Sequence, residues 1–374
     1  MNLSAHVNNS DPTVDWQFWI YGLGIPVVAM PGLLGSLLSI VVLTHKKMHS
    51  SLNSLLAGLS FFDFVLLLLA LSIYPPMVYC LEGAEPSCQW FYNTILISFP
   101  FSLISQFCSV WTCVLITLDR YVAVRYPLRS KLWNTPRRAR FALSVLFVCG
   151  VLFRIPTMLE LERAPDGTPQ PSALRRANQY INIYHFWLSA PLVFVLPWSL
   201  LIVVNVVTSL EMRRIVRTRG NMTAGRRHQL NIADERERRT TIMAILVILM
   251  FVILNSLTVV NYLLESFYGY QAYMRAPALQ FLRKLCVSLS NLLVCLNSTI
   301  NFLIYCVFGH RFTDTCHQVL VSCCGFREYR SRTGTLDRIP SSASIPLSLM
   351  VRRHASTAHH SRTRLSEHLN STNG

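Results

Sequence analysis

Charge is the first thing this chain lacks. Of 374 residues, 14% are Asp, Glu, Lys or Arg, where a soluble domain carries about 25%. Hydrophobic residues make up 52%, so the chain reads as a polytopic membrane protein. Acidic residues are scarcer still: 18 Asp and Glu face 34 Lys and Arg, for a net charge of +16. The eleven cysteines form no Cys-x-x-Cys pair, and no His cluster has ligand spacing, which argues against a metal site. No cysteine lies between Gly150 and Cys286, and the apolar run from Thr240 to Phe267 has no proline.

What the chain has is seven apolar runs, roughly Phe18–Thr44, Asn53–Tyr79, Trp90–Val124, Ala139–Leu159, Tyr180–Leu210, Thr240–Phe267 and Leu279–Val307. Each reaches the ~20 residues that a spanning helix needs. Residues Met1 to Asp15 are polar, so the first run is expected to act as a signal anchor rather than a cleaved leader. Of the 34 Lys and Arg, 27 fall after runs one, three, five and seven, and 7 fall on the other side. The basic side is cytosolic by the positive-inside rule, which puts the N-terminus outside. The positive charge is then a topology signal and a surface for acidic lipid or a partner, not a nucleic-acid footprint. With the N-terminus outside, Asn2 and Asn8 are glycosylation acceptors by their Asn-x-Ser pattern.

The third run ends in Asp119-Arg120-Tyr121, followed by Val122 to Leu128 with Pro127. A charged pair at the end of such a run sits at the membrane–water boundary. Either it is an ordinary interfacial Arg or a switch, and the rest of the chain decides. Asp63 is the only carboxylate well inside a run, and intramembrane carboxylates are costly. Ser109 lies eleven residues before Arg120, three turns away on one face. Asn297, Asn301 and Tyr305 are spaced i, i+4, i+8 and share a face. Phe312 opens an amphipathic stretch past the last run.

These residues together resemble the rhodopsin-like G-protein-coupled receptors. The resemblance implies an all-α membrane protein: a seven-transmembrane helix bundle over 18–307, a short amphipathic eighth helix over 308–326, an extracellular segment 1–17 and a disordered cytoplasmic tail 327–374. It assigns the G-protein switch to Asp119, Arg120, Tyr121, Asn301 and Tyr305, with Glu237 at the base of the sixth helix as partner of Arg120. It assigns a sodium ion to Asp63, Ser109, Asn297 and Asn301, as an allosteric ligand and not a cofactor; the other reading of Asp63 is a carboxyl hydrogen-bonded between helices. The chain departs from the family pattern at several points. Phe302 replaces the seventh-helix Pro, Asn205 stands where the fifth helix usually has Tyr, and the sixth helix reads Leu254 to Thr258 without Pro. The disulfide to the second outer loop cannot form, which leaves Cys80 and Cys88 as a bonded pair or as free thiols. This set resembles the invertebrate FMRFamide and related neuropeptide receptors.

The expected function is therefore a plasma-membrane receptor for a short amidated peptide of the FMRFamide type, activating a heterotrimeric G protein, with no enzymatic chemistry. Glu160, Glu162, Tyr184, Trp187, Tyr262 and Glu265 are acidic and aromatic candidates for a cationic, aromatic ligand; the alternative is a solvated rim with an interfacial aromatic belt. Cys323 and Cys324 are either palmitoylated or free thiols. Arrestin and kinases are expected at the tail, and membrane lipid around the bundle. The four lysines, Lys46, Lys47, Lys131 and Lys284, leave no site for a retinal Schiff base mid-span in the seventh helix. Two other classes stay open at this point. A small transporter coupled through Asp63 predicts inverted repeats or broken helices, and a non-signalling receptor-like scaffold predicts a silent Arg120.

Overall fold

The computed structural model describes residues 16–80, 88–165, 167–220, 224–268 and 277–323; the side chains of residues 79, 178, 216–237, 240, 262–268, 277–280, 310, 322 and 323 lie outside it. Among the described residues, seven helices are long and apolar enough to cross a membrane: Phe18–Thr44, Ser51–Val78, Gln89–Arg125, Pro136–Met158, Ile181–Ile215, Thr241–Asn261 and Phe281–Phe308. They are called spans one to seven. Helix is the only open-ended way to satisfy the backbone in hydrocarbon. An amphipathic helix, His310–Cys323, follows span seven. The short helix Pro127–Trp133 joins spans three and four. Asn2, Asn8, Cys324 and the tail fall outside the described residues.

Small residues let the spans approach. Gly58 of span two faces Leu143 of span four, and a Cβ at Gly58 would come within 2.5 Å of its Cδ1. Gly35 of span one faces Phe302 of span seven, whose ring would lie 2.8 Å from an added Cβ. Phe302, which breaks the family pattern, is thus seated in the notch that Gly35 leaves. The inner core joins Val42, Leu56, Ile116, Ile248, Tyr305 and Phe312 from six different helices. Phe312 packs against Tyr305 (ring centroids 5.7 Å) and Phe302 (6.1 Å), which pins the terminal helix to span seven. Lys47 adds a 2.7 Å hydrogen bond to Gln318.

The outer face has a hairpin that the apolar pattern did not show. Strands β1 (Leu161–Arg163) and β2 (Pro169–Pro171) pair antiparallel after span four. Gly167 has φ +86° in the turn, a conformation that glycine adopts without steric cost. Asp166-Gly167 was the available signal. The Arg163 guanidinium donates to Asn93 of span three. The hairpin is thereby tied by polar contacts to the span that the family ties by a disulfide. The structure joins Cys80 to Cys88, with Cα atoms 5.5 Å apart, closing spans two and three at their outer ends. Tyr92 donates to the Cys80 carbonyl at 2.6 Å.

The upper part of span five winds in wide turns. The Leu196 N–H bonds to the Pro191 carbonyl, five residues back. In that register the Leu192 carbonyl would accept from residue 197, which is proline and has no N–H. An unpaired carbonyl in the bundle is costly. The Trp111 indole Nε1–H of span three donates to it at 3.1 Å. Trp111→Phe should therefore leave the Leu192 carbonyl unsatisfied and destabilise the purified protein by about 1–3 kcal/mol. Thermal unfolding in one detergent checks this; an unchanged midpoint would show that the indole N–H is dispensable.

Candidate functional site

At the centre of the bundle Asp63 is fully buried. Its Oδ1 accepts from the Ser109 and Ser298 hydroxyls, both at 3.0 Å, and its Oδ2 from Asn301 Nδ2 at 2.8 Å. Spans two, three and seven thus meet on one carboxylate. Ser298 was not among the residues expected there, although it stands beside Asn297 in the same motif. Asn297, which was expected, forms no hydrogen bond to Asp63. Its Oδ1 is buried without a partner, as are Asn301 Oδ1, Ser39 Oγ and the Tyr305 hydroxyl. One helical step separates Asn297 from Ser298 and turns the two side chains about 100° apart, and Ser298 is the one bonded to Asp63. A carboxylate, two hydroxyls and unpartnered amide oxygens form an all-oxygen donor set, which suits a hard cation.

At the C-terminal end of span three, Arg120 Nη2 lies 2.5 Å and Nε 3.2 Å from Asp119 Oδ2. The other Asp119 oxygen accepts from the Ser51 hydroxyl of span two at 2.7 Å. Asn134 Nδ2 donates to the Asp119 carbonyl at 2.9 Å, which ties the end of the short helix to the same residue. Both ionised side chains are largely shielded, Arg120 at 12% and Asp119 at 6% exposure. Removing one partner would strand the other charge. Tyr121 packs edge-on against Tyr126 at 6.4 Å between ring centroids. A second pair, Arg125 to Glu211 at 2.9 Å, bridges spans three and five. The Glu237 side chain lies outside the described residues. The described partner of Arg120 is Asp119, braced by Ser51.

In span six Asn255 is buried, and its Nδ2 donates to the Phe251 carbonyl at 2.9 Å; Ser256 donates to the Ile253 carbonyl at 2.8 Å. Side-chain bonds of this kind compete with the helix's own ladder and favour bending. Two adjacent residues of this type mark a weak point in the helix that lacks proline.

The outer acidic candidates are engaged within the protein. Glu160 is buried and accepts from Tyr180 (2.8 Å) and His185 (3.0 Å), with Arg175 Nε at 3.6 Å. Glu162 pairs with Arg176 at 3.2 Å and accepts from Gln170. Sequence placed these carboxylates at a ligand surface. The structure spends them on docking the hairpin to span five, because the basic run Arg175-Arg176 folds back onto them. Tyr184 is buried and donates to the Phe153 carbonyl at 2.9 Å. Trp187 is 72% exposed on span five, which also suits an interfacial belt residue. Tyr262, Glu265 and Cys323 lie outside the described side chains.

Comparison with known proteins gives concordant matches. The family description "7 transmembrane receptor (rhodopsin family)" matches residues 36–305. An FMRFamide receptor of Drosophila melanogaster is 29% identical over 311 residues, covering 79% of this chain and 53% of that protein. An FMRFamide peptide receptor of Caenorhabditis elegans is 32% identical over 307 residues, covering 80% and 69%. The neuromedin-U receptor 2 of Mus musculus is 25% identical over 308 residues, covering 80% and 74%. The chain thus spans about half the length of the fly receptor.

The Glu160 cluster has a pH signature. Burial pushes its carboxyl up, but the His185 hydrogen bond and charge, the Arg175 charge and the Tyr180 hydroxyl together hold it below the usual carboxylate range. A depressed native value adds stability that is present above the unfolded value of about 4.3 and is lost as pH falls through the native one. Thermal midpoints measured from neutral pH down to acid should fall steeply below about pH 4.3. Glu160→Gln should start lower at neutral pH and show a shallower acid limb. Parallel curves for the two proteins would contradict the assignment.

Proposed function

The chain belongs to the rhodopsin family of seven-transmembrane receptors and is not an enzyme, and on that premise we propose that it binds a short extracellular amidated peptide of the FMRFamide type and activates a heterotrimeric G protein. The observation that carries the ligand class is the match to FMRFamide receptors of fly and worm across four fifths of the chain. The proposal places the receptor in the plasma membrane with its N-terminus outside. The transporter reading falls with the family assignment.

The mechanism follows from three places in the bundle. With the Asp119–Arg120 pair intact, Arg120 is turned toward its neighbour. Agonist binding favours an outward swing of span six, and the Asn255–Ser256 step, with its two backward hydrogen bonds, supplies the bend. Arg120 then leaves Asp119 and meets the G protein, and Tyr305 turns inward. Glu237 remains a proposed second partner of Arg120. Arrestin and kinases are proposed to act on the tail, with Cys323 and Cys324 as acylation sites. At the outer mouth Tyr262 and Glu265 remain the proposed peptide contacts, since Glu160 and Glu162 are already paired.

The Asp63 cluster fits a sodium ion: Asp63, Ser109, Ser298 and the Asn301 oxygen would hold it, with Asn297 beside them. The ion would supply a positive charge that favours the ionised carboxylate. Asp63, Ser109, Ser298 and Asn301 themselves hold spans two, three and seven together.

A panel of amidated peptides applied to cells expressing the full chain, read by nucleotide exchange on co-expressed G proteins, tests the function. An Arg-Phe-amide peptide should activate, and its non-amidated counterpart should be weaker by tenfold or more, on the order of one lost charge-assisted or neutral hydrogen bond. Silence across the panel with normal surface expression would favour a non-signalling scaffold. On the active peptide, sodium should lower affinity in the wild type and have no effect in Asp63→Asn; an unchanged sodium response in that variant would remove the ion site.

A further inference from the structure

The cytosolic corner of span four carries a patch that the receptor mechanism does not use. Between Arg120 and Glu160 the chain has no carboxylate. Yet Arg125, Arg129, Lys131, Arg137, Arg138 and Arg140 all fall there, and all are exposed. Three of them are committed. Arg125 pairs with Glu211, Arg129 lies over the Tyr126 ring at 5.8 Å, and Arg138 Nη1 donates to the Leu132 carbonyl at 3.2 Å. That last bond fixes the end of the short helix against span four. Among the described residues, no ion pair forms to Lys131, Arg137 or Arg140. Arg140 uses its Nε on the Pro136 carbonyl at 3.3 Å, which steadies the side chain near the head of the span.

The apolar neighbours decide what the patch meets. Trp133 is 63% exposed and Phe141 72%. Phe141 begins the outward stripe Val145, Val148 and Leu152, all exposed. The opposite stripe packs inward, with Ala139 in the core and Gly150 against Phe107 and Cys108. Span four is a membrane span, so the outward stripe lies in hydrocarbon. Arg137 is one turn, about 6 Å, toward the cytosol from Phe141 on the same face, and Arg140 lies at i+3 from Arg137 on the same side. Arg137 therefore sits on the headgroup side of Phe141, whose ring belongs at the hydrocarbon boundary, where aromatic residues concentrate. A soluble partner would have no access to the stripe that continues from Phe141 into the bilayer. The cytosolic leaflet carries the acidic lipids.

We propose that Lys131, Arg137 and Arg140 form a binding site for an acidic phospholipid of the cytosolic leaflet, with Trp133 and Phe141 flanking its first acyl carbons. The site lies beside the Asp119–Asn134 contact but shares no side chain with it.

Full-length receptor in phosphatidylcholine nanodiscs, titrated with fluorescent phosphatidylinositol bisphosphate, tests the site. Arg137→Gln with Arg140→Gln should weaken lipid binding about twentyfold, from two cations near an anionic headgroup. Trp133→Ala should weaken it severalfold, and Arg311→Gln in the terminal helix should leave it unchanged. Melting curves verify folding; if the double variant fails to fold, Arg137→Lys against Arg137→Gln carries the test, with binding kept by the first and lost by the second. Unchanged lipid affinity in the glutamine variants would overturn the proposal. Equal binding of a soluble inositol phosphate would overturn it in favour of a free phosphate.

Discussion

In hydrocarbon a polar group can find its partner only inside the protein, and Asp63 is where that constraint is most severe. Its carboxylate collects hydrogen bonds from Ser109, Ser298 and Asn301, so three spans are held at their midpoints by one residue. Below it, Asn301 and Tyr305 continue along the same face of span seven, and Tyr305 reaches the aromatic packing with Phe312 that seats the terminal helix. One continuous helix thus links the Asp63 cluster to the terminal helix. The unpartnered oxygens of Asn297 and Asn301 show that this region is polar beyond what its own side chains satisfy.

The Arg120 end of the bundle repeats the logic with opposite consequences. Asp119 serves Arg120 with one oxygen and Ser51 with the other, and its backbone holds Asn134. The pair is braced by span two and by the connecting helix. Release of Arg120 would thus need Asp119 to lose or keep a set of contacts that span three does not control alone. At the outer face the same economy appears in reverse. Carboxylates that could face solvent, Glu160 and Glu162, are turned onto Arg175, Arg176 and His185, and the hairpin is docked without a disulfide to span three.

The seven spans were legible because length and hydropathy are one-dimensional properties: the first span was read as Phe18–Thr44, and its helix has those limits. Asp63 stood out as an intramembrane carboxylate, and it was the family resemblance that grouped Ser109 and Asn301 with it; the structure brings the three together. Ser298 was missed because adjacent residues differ only in azimuth, which depends on how span seven is rotated. The hairpin was missed because its strands are three residues each and neither alternates strongly. The partners of Glu160 and Glu162 were not legible, because charge alone does not tell whether a neighbouring Arg folds back or faces solvent. Trp111 carried no signal by itself; its role depends on Pro197 leaving an acceptor open in span five, a relation between residues 81 apart in sequence from Trp111 to Leu192.

The central claim is that Arg120 is the group through which this bundle acts on a G protein, and one substitution tests it most directly. Arg120→Ala should be compared with the wild type for agonist-driven nucleotide exchange at matched surface expression, with peptide binding measured in parallel. The account predicts that exchange is abolished while peptide binding survives. Normal exchange in the variant would contradict it.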